Sequence, residues 1–141
     1  MPAADVQVTL SGPFWQSAPG DVGRMLSGAV RELVEMGEER LGEMLSPRPA
    51  GVYLSVAEAG RGRASTGHYR RNVHGEMRGS LLGRLHDSNV IYGAWLEGTS
   101  SRNQTTRFKG YSSFRRTHQW LEGHKERVVQ AHVSRWVRGM N

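Results

Sequence analysis

The chain has 141 residues, enough for one domain with a real core and too few for two comfortable ones, so a single domain over residues 1–141 is expected. It has no cysteine, which excludes disulfides, thiolate metal sites and thiol chemistry; no apolar run nears the roughly 20 residues of a membrane helix. The net charge of +6 is uneven: residues 1–60 set four Arg against eight acids, −4, while residues 61–141 set fifteen Lys and Arg against five acids, +10. Such polarity suits a polyanion partner or a head-to-tail contact between copies.

In chain order, residues 5–10 alternate Val6, Val8 and Leu10 with polar neighbours, a strand signal. From Asp21 apolar residues recur every three to four positions (Leu26, Ala29, Val30, Leu33, Val34, Leu41), with Glu32, Glu35, Glu38, Glu39 and Glu43 opposite. That predicts an amphipathic helix of roughly 25 residues, about 37 Å long. Pro47 and Pro49 end it. VYLSVA at 52–57 reads as a strand and EAGRGRASTG at 58–67 as a solvated loop. An extended segment is expected at 69–78. Strands at 81–86 and 90–96 would be joined by a tight turn at Asp87, Ser88 and Asn89. Residues 98–110 read as a polar loop. A second helix is expected from Ser112 nearly to the end, with Phe114, His118, Leu121, Val128, Val129, Val133, Trp136 and Val137 on its apolar side. Two helices on a small, mainly antiparallel sheet make an α+β domain.

The candidate chemistries mostly dissolve into simpler readings. His118, His124 and His132 are spaced by six and eight, not the four of helical zinc pairs, and His68 and His74 are too far apart along an extended strand to chelate one ion. His86, Asp87 and Asn89 form a turn sequence that explains itself through local backbone bonds, with no second ligand set beside it. GRGR at 60–63 lacks the Walker spacing; its Arg61 and Arg63 suit a loop that orders on a neighbouring subunit. Neither a catalytic centre, a metal site nor a cofactor is expected. Phe108, Tyr111, Phe114, Trp120 and Trp136 interleave with basic residues, as a stacking platform for nucleic acid would, although Phe114 and Trp136 fall on an apolar helix side. The start MPAADVQVTL lacks the regions of a signal peptide, so a soluble protein made in a cytoplasm is expected.

One segment resists the simpler readings. Residues 92–116, YGAWLEGTSSRNQTTRFKGYSSFRR, run from aromatics through Glu-Gly-Thr into a basic loop and an arginine-rich helix. Glu97 admits two roles: a cap accepting backbone N–H bonds in the following turn, or a salt bridge to Arg102 or Arg107, within or between subunits.

This order of pieces resembles the tail-completion or neck (type one) proteins of long-tailed phages, which are minor tail components. In that family a long N-terminal helix precedes a small sheet, and a strand ending in a Tyr-small-apolar-Glu-Gly-Thr pattern leads through a loop to a Phe and a final helix. Tyr92, Gly93, Ala94, Trp95, Leu96, Glu97, Gly98 and Thr99 match the strand, and Phe108 or Phe114 stands near the later aromatic. The wording WLEGTSSRNQTTRFKGY looks like the branch found in phages of actinobacteria. Where the family commonly has Pro-Phe-Leu-Arg-Pro, this chain reads Arg107, Phe108, Lys109, Gly110 and Tyr111. The resemblance implies a structural, non-enzymatic virion protein, assembled in the host cytoplasm as a ring, hexameric in the expected arrangement. The ring would sit at the head–tail junction between connector or stopper and tail terminator or tail-tube proteins, around double-stranded DNA, with no membrane partner. Interface candidates are Glu97, Arg102, Arg107, Lys109, Arg115, Arg116, Arg61 and Arg63. A basic nucleic-acid-binding protein acting outside a virion is the alternative.

Overall fold

The structure is a computed structural model and describes residues 4–9, 20–45 and 68–139. Strand β1 (Asp5–Thr9) comes first, followed by the long helix α1 (Gly20–Met44) and a helical turn, α2 (His68–Arg71). The hairpin β2 (His74–Met77) and β3 (Leu82–His86) leads into two short helices, α3 (Gly93–Glu97) and α4 (Arg102–Thr105). The long helix α5 (Ser113–Gly139) ends the described chain. The result is an α+β fold: two long helices packed on a three-stranded antiparallel sheet of order β1-β3-β2.

The spacing of apolar residues in α1 is what lets it close the core. Leu26, Ala29, Val30, Leu33, Val34, Gly37 and Leu41 are all buried, one stripe of a 3.6-residue period. Two sheet glycines let α1 lie directly on the strands. A Cβ at Gly83 would stand 2.2 Å from the Val34 Cγ2, and one at Gly75 would stand 2.6 Å from its Cγ1. Helix α5 runs antiparallel beside α1: the Thr117 hydroxyl donates to the Met44 sulfur at 3.7 Å, while Gly28 lies against the His132 ring at the other end. The Arg40 guanidinium sits 4.8 Å over the Trp120 ring, and His132 Nε2 meets Glu32 Oε2 at 2.5 Å. On α5, Phe114, Leu121 and Val128 are buried, whereas Val137 is 48 % exposed and His118 also faces outward.

Three sequence expectations are corrected. The extended segment at 69–78 is α2 first, with the strand confined to His74–Met77, so His68 and His74 do not share a strand. The strand expected at 90–96 is instead helical, Gly93–Glu97. Both sides of β3 are already taken, by β1 through Asp5 to Thr9 and by β2 through His74 to Met77, so no place beside it remains for a following strand. The expected turn is there, but with φ of 56° and 55° at Ser88 and Asn89 it steers the chain away from β3. Bonds from Val90 N to Asp87 O and from Gly93 N to Val90 O then coil it into α3. The polar loop at 98–110 contains α4. The strand read at 52–57, the loop at 58–67 and the prolines at 47 and 49 lie outside the described residues.

Candidate functional site: a closed basic loop on the start of helix α5

Glu97 ends α3 and is buried, with 8 % of its surface exposed. Its Oε2 accepts the Phe114 N–H and its Oε1 the Arg115 N–H, both at 2.9 Å. These are the second and third N–H groups of α5, two of the four that a helix start leaves without intrahelical partners. A carboxylate there also meets the positive end of the helix dipole. Glu97 is therefore a cap, though of a helix that begins 16 residues on rather than of its own turn. Among the described residues it forms no ion pair with Arg102 or Arg107. Burial pushes its pKa up, while the Arg115 and Phe114 N–H bonds and the Arg115 charge pull it back.

The main chain closes at the same point. Tyr111 N donates to Leu96 O at 2.7 Å, and Ser112 N to Glu97 O at 3.1 Å. Gly98 and Gly110 touch backbone to backbone, with φ of 103° and 90°. A Cβ on Gly98 would lie 2.3 Å from Lys109 O, and one on Gly110 2.3 Å from the Gly98 Cα. Only glycine fits either position, for conformation and for space alike. Residues 98–110 thus leave and re-enter at one pinned neck, the form of an Ω-loop.

Asn103 holds the inside. It is buried, its Nδ2 donates to Trp95 O at 3.0 Å and Phe108 O at 3.1 Å, and its Oδ1 accepts Ser100 N at 3.0 Å. Lys109 folds back, its Nζ donating to Asn103 O at 2.8 Å and Gln104 O at 3.4 Å. Beneath the loop Phe108 contacts Trp95 at a ring separation of 4.7 Å and Tyr111 at 5.0 Å, and all three rings are half-buried. Of the aromatics expected as an open stacking platform, Phe108 and Tyr111 are packed on each other here.

What the loop presents outward is positive charge. Arg102, Arg107, Arg115 and Arg116 are exposed, and none forms an ion pair among the described residues. No acid occurs between Gly98 and Leu121. The structure therefore brings Glu97, Arg102, Arg107, Lys109, Arg115 and Arg116 into one neighbourhood, but gives Glu97 and Lys109 internal duties. Arg61 and Arg63 lie outside the described residues.

A second buried carboxylate lies close by. Asp87, 1 % exposed, accepts the Tyr69 hydroxyl at 3.1 Å and the Asn89 N–H at 3.1 Å. Burial raises its pKa against those two bonds, and the Tyr69 phenol is raised by burial and by Asp87. Sequence reading gave Asp87 only its turn role and missed Asn103 and Tyr69. The pair Gly98 and Gly110, one at each end of the loop, was the available signal for its closure.

The histidines serve structural contacts. His124 Nδ1 lies 2.7 Å from Trp120 O, His118 faces Glu122 at 3.8 Å, and His74 lies opposite His86 across β2 and β3. Among the described residues no cluster of three or more His, Cys, Asp or Glu could hold a metal ion, and no helix is long and apolar enough to cross a membrane. The chain matches no known family model, no curated protein and no solved structure.

Proposed function

We propose that this chain is a structural subunit of the head–tail junction of a long-tailed phage, assembling with its own copies into a ring that surrounds the passing duplex DNA. The observation that carries the reading is the closed loop at 98–110. It is fixed to the start of α5 by Glu97 and two glycines, and it displays Arg102 and Arg107 with no counter-ion of its own among the described residues. A surface built this rigidly loses little entropy when it docks, which suits repeated subunit contacts. The Glu-Gly-Thr segment that resembles the neck proteins is the part whose side chain and backbone pin this loop. Heterologous contacts between copies close into a ring when the rotation closes. Connector or stopper proteins on one side and tail terminator or tail-tube proteins on the other are the proposed neighbours.

The second reading, a nucleic-acid binder acting outside a virion, is favoured by the acid-free run from Gly98 to Leu121. Against it, the α5 N–H groups that would receive a phosphate are already occupied by Glu97. Light scattering coupled to size exclusion, with electron microscopy of the chain beside its connector and tail partners, separates the two. Ring particles support the junction role. A chain that stays monomeric beside those partners sinks it, and tight, steeply salt-dependent DNA binding by that monomer would promote the alternative.

A further inference from the structure

The exposed face of α1 carries an arrangement opposite in charge to the loop. Glu35, Glu39 and Glu43 recur every four residues, a row of about 12 Å along the helix axis. All three are exposed, and none has an ion-pair partner among the described residues. Like charges at that spacing repel and weaken the helix that carries them, a cost that a basic partner would remove. The row borders an open cleft of about 480 Å³, closed on its other side by Arg70 and Val73. Glu38, also beside the cleft, is committed to the Gly75 N–H at 2.6 Å.

From this complementarity we infer that the loop at 98–110 of one copy docks on the α1 face of a second copy, Arg102 and Arg107 meeting the Glu35, Glu39 and Glu43 row. Guanidinium forks pair bidentately with carboxylates, and the loop offers Arg rather than Lys, since the Lys109 ammonium is bonded back to the Asn103 and Gln104 carbonyls. A carboxylate partner fits the loop better than phosphate because the phosphate-binding groups at the α5 start are capped from within. The pairing also uses both halves of the chain's charge polarity, −4 over residues 1–60 and +10 over residues 61–141. It rests on the assembly reading above and names the contact through which copies would join.

The test is charge reversal and rescue in the full chain, read by sedimentation velocity at low and moderate salt. Arg102→Glu with Arg107→Glu, or Glu35→Arg with Glu39→Arg, should each weaken self-association by about tenfold or more, and the variant carrying all four should recover to within about threefold of the original. All four positions are exposed, and circular dichroism verifies that each variant is folded. Self-association untouched by either reversal, or no recovery in the combined variant, overturns the inference. A chain that is monomeric alone at every concentration overturns it too, while leaving the junction role to its own test beside connector and tail partners. Loss of DNA affinity without loss of self-association in the loop variant would assign the loop to nucleic acid instead.

Discussion

The α1–α5–sheet scaffold and the loop at 98–110 are both well fixed, by different means. In the scaffold Leu26, Ala29, Val30, Leu41 and Leu85 have no exposed surface, and apolar burial holds the elements together. In the loop the buried centre is polar: Asn103 and the touching backbones of Gly98 and Gly110 replace a core. A loop held by directed hydrogen bonds can keep its outer side chains charged, because none of them is needed inside. That difference separates the region that carries the fold from the region suited to meet a partner.

The sharpest way to break the comparison is at the loop's neck. Gly98→Ala would place a Cβ 2.3 Å from Lys109 O at a φ of 103°, and should cost about 3 kcal/mol from strain and overpacking together. Urea unfolding measures it. A cost under about 0.5 kcal/mol, the range of ordinary surface changes, would show that the neck is not closed as described. Next in size is Asn103→Ala, which strands Trp95 O and Ser100 N and leaves Phe108 O only the Thr106 hydroxyl at 3.3 Å; about 2 kcal/mol is expected. Hydrogen exchange should quicken at Ser100 and the amides of α4 while the amides of α1 stay protected. Equal loss of protection in α1 would make the loop part of the scaffold's cooperative unit rather than a separate one.

The same contrast decides what could be read before the fold was in view. Helices α1 and α5 follow from apolar periodicity and β1 from alternation, because burial imposes a period on the residues it selects, while β3 was read from its place before a turn sequence. The strand expected at 90–96 failed because local apolar character cannot say that β3 already has two neighbours. Glu97 was legible as a capping residue, but the helix it caps begins 16 residues later, across the loop. Asn103 gave no signal at all, since an Asn in a polar loop has the same letters whether it faces water or three backbone groups.

Two smaller effects test the link between the regions. Glu97→Gln keeps the shape and loses the charge at the α5 start, so a stability loss of about 1 kcal/mol is expected from the weakened cap. Assembly should suffer more than stability, because the loop's exit would no longer be held at a fixed angle. Equal losses would reduce Glu97 to a local cap. Asp87→Asn probes the neighbouring buried acid through pH. Burial raises the Asp87 pKa in the folded chain above its ordinary value of 3.8, so the folded state holds this proton more tightly than the unfolded one. Its contribution is full below that ordinary value and is lost as pH rises through the folded pKa. The original chain should therefore lose stability relative to Asp87→Asn across that window. Parallel curves for the two would mean that Asp87 ionises in the fold as freely as in the unfolded chain.

The smallest expected effect has the opposite sign and sharpens the comparison most economically. Gly123 lies in the interior of α5 with nothing within 4 Å of the position a Cβ would take. No turn, close approach or positive φ requires glycine there, so it weakens the helix through backbone freedom alone. Gly123→Ala should therefore stabilise the chain by about 0.5–1 kcal/mol in thermal or urea unfolding. Gly37→Ala, in the other long helix, should do the reverse, because its Cβ would stand 2.4 Å from Leu85 Cδ1 in the core. If Gly123→Ala instead left stability unchanged but blocked assembly, the bare surface at that position would be a place of close approach by another chain. That outcome would extend the contact region along α5, beyond the loop.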